Sequence, residues 1–202
     1  MRIGQTSLVY TVSRFVASAL GFVATVYFAR ELGEAVLGQF ALILALVAWV
    51  GVASQVGLSE SITKRVSEGD EPARYYGAGL VFATGVTAVA ISGIVLFGDA
   101  VNAYVGTAAV IYVIPLLAVN TFKGILNAVL HGRRLVHIES ILQVVGQAVQ
   151  SALQIGLVVV GWGLGGMVVG YAASTVVTGI IALLLMDLRP AVPTREQFVS
   201  LF

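Results

Sequence analysis

The sequence predicts an all-α polytopic membrane protein with six transmembrane helices in one bundle. Three observations predict it. Of 202 residues, 58% are hydrophobic and only 10% are charged, where a soluble domain carries about 25%. Six apolar runs are each long enough for a bilayer core, which takes about 20 residues of helix. The connections between them are short and rich in Gly, Asp and Pro.

The spans fall near 4–29, 36–63, 75–97, 105–131, 136–160 and 164–187. The first begins like a secretory signal, with Arg2 and later Ala17-Ser18-Ala19. Arg14 interrupts the apolar core and the pattern runs on to Tyr27, so this is a membrane helix and not a cleaved leader. Gly33 and Gly38 separate spans 1 and 2, and Gly69-Asp70-Glu71-Pro72 separates spans 2 and 3. Gly98-Asp99, Gly132-Arg133-Arg134 and Gly161-Trp162-Gly163 mark the later turns. Residues 1–189 thus form the bundle, and 190–202 form a tail. In the tail Thr194 precedes Gln197 by three residues, the spacing of a capping box, ahead of Phe198, Val199 and Leu201. It reads as the opening of a seventh helix, or as a short amphipathic tail on the membrane surface.

Charge placement sets the orientation. Arg2, Lys64, Arg65, Arg74, Arg133, Arg134, Arg189 and Arg195 all fall on one side of a six-span topology, and Arg30 alone on the other. Both termini are therefore expected in the cytoplasm. Arg14 and Lys123 lie within spans and do not enter that comparison.

Four spans carry polar residues along one helical face, where a lipid-facing surface should be apolar. The longest stripe is Glu139, Gln143, Gln147, Gln150 and Gln154, whose spacing of 3 or 4 keeps one face of a 3.6-residue helix. Several glutamines in register fit the wall of a hydrated space; glue between helices is the plainer reading. Neutral amides suit hydroxyl-rich ligands, because each offers donors and an acceptor. In span 1 the face holds Ser7, Thr11, Arg14, Ser18, Gly21 and Thr25. Arg14 stands ten residues past Gly4, roughly 15 Å into the bilayer. It fits an anion contact in a central cavity, or a side chain that snorkels to the headgroups. Span 4 carries Asn120, Lys123, Asn127 and His131, with the same two readings open for Lys123 and an interfacial place expected for His131. In span 2, Gln55 and Ser59 share a face, and Glu60 is spaced to pair with Lys64.

Several functions are disfavoured. There is no basic surface for nucleic acid. Cysteine is absent, and no metal-ligand spacing or nucleophile–base set occurs, so neither cofactor nor metal is expected and the chain is not read as an enzyme. Gly161-Trp162-Gly163-Leu164-Gly165-Gly166 lacks the strand and acidic residue of a dinucleotide loop. Gly166 and Gly170 form a GxxxG pair, which argues close helix packing.

Some stretches resemble a known family. Ser13-Arg14 and Gly21, then Phe28-Ala29-Arg30-Glu31-Leu32-Gly33 and Leu37-Gly38-Gln39-Phe40-Ala41-Leu42, are similar to the opening of polysaccharide-biosynthesis flippases, whose members read ARxLGxxxxGxFxL there. Gln55-Val56-Gly57-Leu58-Ser59 resembles their DLGLS stretch, and Leu130-His131-Gly132-Arg133-Arg134 their LxGxxR. The resemblance is to the lipid-linked oligosaccharide branch of the multidrug/oligosaccharidyl-lipid/polysaccharide exporter superfamily. It implies movement of lipid-pyrophosphate-linked sugars across the cytoplasmic membrane by twelve to fourteen spans in two six-helix bundles. Cationic residues of the first bundle would meet the pyrophosphate; Arg14 matches such a position and Lys123 is a looser match. Two departures stand out: these residues supply one bundle, and Gln55 replaces the usual acidic residue. The chain is thus expected to be an N-terminal half, a fragment or a partner for a second half or another copy.

The cavity candidates are Arg14, Gln55, Asn120, Lys123, Asn127, Gln143, Gln147, Gln150 and Gln154. Two rival functions remain. A cation-coupled drug or metabolite exporter of the same superfamily would normally place acids in the cavity, yet Glu60 and Glu139 fall near span ends and Asp99 in an outer loop. A scaffold subunit of glycan assembly would use the polar stripes as glue.

Overall fold

The computed structural model describes residues 3–55, 57–69, 71–194 and 197–198, with side chains at 11, 12 and 15–52 and from 57 onward in those segments. The order is α1 (Ile3–Gln55), α2 (Leu58–Glu68), α3 (Pro72–Leu96), α4 (Gly98–Val105), α5 (Val110–Gly132), α6 (Val136–Val159) and α7 (Gly163–Met186). No strand occurs among the described residues. Among the described residues, five helices are long and apolar enough to cross a membrane.

The longest of them is two arms. At 53 residues α1 would extend about 80 Å if straight, against a hydrocarbon thickness of about 30 Å. Gly33 breaks it with φ 82° and ψ 164°, a backbone region that is essentially glycine's alone. Ala24 and Phe28 of the first arm join Phe40, Ile43 and Val47 of the second in one buried cluster. Counting the arms separately gives six apolar segments, as expected.

Other boundaries differ from the sequence reading, each for a local reason. The second span does not run to 63 as one helix: Gly57, at φ 76°, ends it, and α2 starts afresh. α2 is amphipathic and buries Leu58, Ile62 and Val66 against α3 and α5. Glu60 and Lys64 make no ion pair among the described residues; Arg65 pairs instead with Glu68 at 3.2 Å. The fourth span starts at Val110 rather than 105, because Gly106 (φ 79°) closes the short α4. The Asn102 carboxamide oxygen then accepts from the Val110 amide at 3.1 Å, which satisfies a donor at the start of α5.

Among the described residues, two buried apolar clusters hold the helices together. One gathers α2 and α3 with the C-terminal halves of α5 and α7 through Tyr76, Leu126, Leu130 and Met186. The other gathers both arms of α1 with the N-terminal parts of α5 and α7 through Ile43, Leu116 and Met167. Between them, Thr87 donates to Thr121 at 3.0 Å and ties α3 to α5. Outward-facing residues are large and apolar: Phe15, Phe22, Trp49 and Leu184 are each at least 70% exposed, as lipid-facing positions should be.

The tail folds back. The Ala191 amide donates to the Ala73 carbonyl at 2.9 Å, and Phe198 packs on Phe82 with ring centroids 6.2 Å apart. The Thr194 amide donates to the Gln197 carboxamide oxygen at 2.9 Å, half of the capping box expected there. Gly77 makes the crossing possible: a Cβ there would stand 1.9 Å from the Ala191 carbonyl oxygen.

Candidate functional site

Each of α5, α6 and α7 changes character at mid-length. On α5, Leu116 belongs to one apolar cluster and Ile125 to the other, and Asn120, Thr121 and Lys123 lie between. On α7, Tyr171, Ser174, Thr175 and Thr178 lie between Met167–Val168 and Ala182–Met186. On α6 the glutamines lie between Leu142 and Val158. A polar layer sandwiched by two apolar ones cannot close like a core, because its groups keep water or each other.

That layer holds a cavity of about 450 Å³. Lys123 and Asn127 reach it from α5, Gln143, Gln147, Gln150 and Glu139 from α6, and Tyr171, Ser174, Thr175 and Thr178 from α7. Five of the nine candidates named from sequence therefore share one wall: Lys123, Asn127, Gln143, Gln147 and Gln150. Gln154 stands apart from it. It is buried, donates to the Met167 carbonyl at 2.7 Å and accepts from Gln150 at 3.3 Å. Asn120 faces a second cavity; its amide donates to the Leu116 carbonyl at 2.9 Å and its oxygen accepts from the Tyr171 hydroxyl at 3.0 Å. The Arg14 and Gln55 side chains lie outside the described residues. Gly21, two turns beyond Arg14 on α1, touches the glutamine wall: a Cβ there would be 3.3 Å from the Gln147 amide nitrogen.

The electrostatics are simple. Lys123 has no ion pair or hydrogen bond among the described residues, and it is exposed to the cavity. Glu139 shares the wall but is engaged by His131 through the imidazole Nε2. The hydroxyl protons of Ser174 and Thr175 are spent on the Tyr171 carbonyl, at 2.9 and 3.0 Å. Thr178 donates to the Ser174 carbonyl at 2.9 Å. These oxygens therefore face the cavity as acceptors, and the glutamine amides and the ammonium supply the donors. Such a chamber can hold a hydroxyl-rich ligand along its length and one anionic group at Lys123.

The α7 face is what the sequence reading missed. Tyr171, Ser174, Thr175 and Thr178 follow the same 3-and-4 spacing as the glutamines, so the signal was present. Hydroxyls attract less notice because they return their protons to their own helix. Glu139 was placed near a span end, and its contact with the cavity needed the α6 register.

The geometry has close relatives. The model of a family described as "Polysaccharide biosynthesis protein" matches residues 3–200. The chain belongs to that family. It is 25% identical over 185 residues to the probable flippase AglR of Haloferax volcanii, covering 91% of this chain and 39% of that protein. It is 29% identical over 132 residues to the probable low-salt glycan biosynthesis flippase Agl15 of the same organism, covering 61% of this chain and 28% of that one. Among solved structures, a MOP-superfamily transporter from Pyrococcus furiosus matches with TM-score 0.69 and 20% identity, over 98% of this chain and 49% of the other. An outward-facing multidrug resistance MATE transporter matches with TM-score 0.72 and 18% identity, over 98% and 49%. The fold is thus that of one half of a MATE-like transporter, and the chain spans about half the length of those structures and less of the flippases.

Proposed function

We propose that this bundle forms one half of the path by which a lipid-linked oligosaccharide crosses the membrane. The observation that carries the reading is the chamber's lining: the Lys123 ammonium, in no ion pair among the described residues, stands among amides and hydroxyl oxygens, and the Glu139 carboxylate on the same wall is engaged by His131. A cation at membrane depth is costly, and an anionic substrate group adds to the partial compensation that Glu139 gives. The amides of Gln143, Gln147 and Gln150 would then meet sugar hydroxyls. Arg14, on the arm that borders the glutamine wall at Gly21, is assigned the second phosphate contact, and Gln55 a place at the cytoplasmic entrance. The probable flippases among the relatives support the substrate class. The bundle works by rocking against a second half, and both termini face the cytoplasm.

The test replaces Lys123 in cells that depend on the protein for glycan export. Lys123→Ala should lower export at least tenfold at unchanged membrane level, and Lys123→Arg should restore most of it. Full export by a stably inserted Lys123→Ala protein overturns the assignment. A second reading, cation-coupled export of a small molecule, is favoured by one observation: Glu139 lines the same cavity. It predicts that Glu139→Gln, and not Lys123→Ala, abolishes transport.

A further inference from the structure

Among the described residues, the chamber is lined by one acid and one ammonium, and the structure keeps them apart. Glu139 and Lys123 attract each other electrostatically, yet they make no ion pair. What separates them is a third side chain. His131, in the last turn of α5, meets the Glu139 carboxylate through its Nε2 nitrogen. Lys123, Asn127 and His131 are spaced four apart on that helix, so they share one face.

The turn between α5 and α6 fixes the contact. The Leu135 amide donates to the Leu130 carbonyl at 2.9 Å, and Arg134 reverses the chain with φ 60°. Gly132 seats the turn against α2: a Cβ there would stand 2.8 Å from the Thr63 carbonyl oxygen. Arg133 is spent on the Met186 carbonyl of α7, and Arg134 makes no ion pair among the described residues. His131 is therefore the basic group of this turn that Glu139 meets. Both placements suit the helix ends, with a carboxylate in the first turn of α6 and an imidazole in the last turn of α5. Without His131, a carboxylate facing a membrane span would turn to the ammonium it already attracts. An ion pair between Glu139 and Lys123 would cancel the charge that an incoming anion needs.

We infer that His131 is a positioning residue: it holds the Glu139 carboxylate aside and so keeps the Lys123 ammonium free for the substrate's anionic group. This rests on the proposed function and adds to it the residue that keeps the anion site open.

The chain has two lysines, Lys64 and Lys123, so one reagent reports on the chamber and carries its own reference. The purified 202-residue chain in nanodiscs is treated with a small water-soluble acylating reagent. Labelling at each lysine is followed by mass spectrometry. An amine paired with a carboxylate stays protonated and reacts slowly. His131→Ala should slow labelling of Lys123 about tenfold relative to Lys64. His131→Gln, which keeps an N–H donor for the carboxylate, should label like the parent. Adding Glu139→Gln to His131→Ala should restore the parent's rate, which a general loss of packing would not allow. Unchanged Lys123 labelling in His131→Ala overturns the inference. So does slow labelling that persists in the double variant. Inorganic pyrophosphate tests the underlying reading separately. It should protect Lys123, and not Lys64, in the parent and in the double variant. Absence of that protection, with the variants' labelling rates as expected, instead rejects Lys123 as the anion contact, and with it the purpose given to His131.

Discussion

Replacing Gly170 by alanine tests how closely α6 and α7 must approach to build the glutamine wall. A Cβ at Gly170 would lie 2.6, 2.8 and 2.9 Å from the Cγ, backbone nitrogen and Cα of Gln154. Two of those atoms are main chain, so a rotamer change cannot relieve the contact. Reaching an ordinary separation of 3.4 Å requires the helices to part locally by about 0.6 Å. The same movement would stretch the Gln154-to-Met167 hydrogen bond from 2.7 Å toward 3.3 Å, the length of the weak Gln150-to-Gln154 bond. Overpacking of this kind costs about 1–3 kcal/mol, and a lost interhelical hydrogen bond in a membrane about 0.6–1.7 kcal/mol. We expect Gly170→Ala to destabilise the bundle by about 2–5 kcal/mol, the sum of those ranges. Reversible unfolding in mixed micelles, read by tryptophan fluorescence, measures it. Gly156→Ala is the control: it lies on α6, and its added Cβ meets nothing within 4 Å. A Gly170→Ala protein as stable as the Gly156→Ala protein would refute the reasoning.

Four further outcomes are expected. Cysteines placed at positions 143, 147 and 150 should react with a water-soluble maleimide, and one at 154 should not; four unreactive positions would mean glue and favour a scaffold. Gly33→Ala should cost about 1–3 kcal/mol, because alanine resists the conformation found there; an unchanged unfolding midpoint would argue against the break between the two arms. Gly77→Ala should displace the tail, seen as faster labelling of a cysteine at position 191, and unchanged labelling would contradict the Ala73–Ala191 contact. Thr87→Val should cost about 0.6 kcal/mol, the usual worth of one hydroxyl bond between membrane helices, in the same unfolding assay; no change would mean Thr121 finds another partner.

The amino-acid order by itself determined the membrane class, the apolar segments and the glutamine stripe, because hydropathy and 3.6-residue periodicity are local properties. It also located the tight helix approach at Gly166 and Gly170, since small residues four apart have one strong use between apolar helices. It could not say which glutamines face space. Gln150 and Gln154 share a stripe, yet one lines a cavity and the other is spent on Met167 of α7; the difference lies in how closely α7 approaches each turn. Nor could it separate Asn120 from Lys123, three residues apart on α5, which face different cavities on either side of Tyr171. Those assignments depend on the relative rotation of three helices, which is fixed by contacts such as Gln154–Met167 and Asn120–Tyr171, 13 and 51 positions apart in the chain and between different helices, beyond the reach of any local pattern.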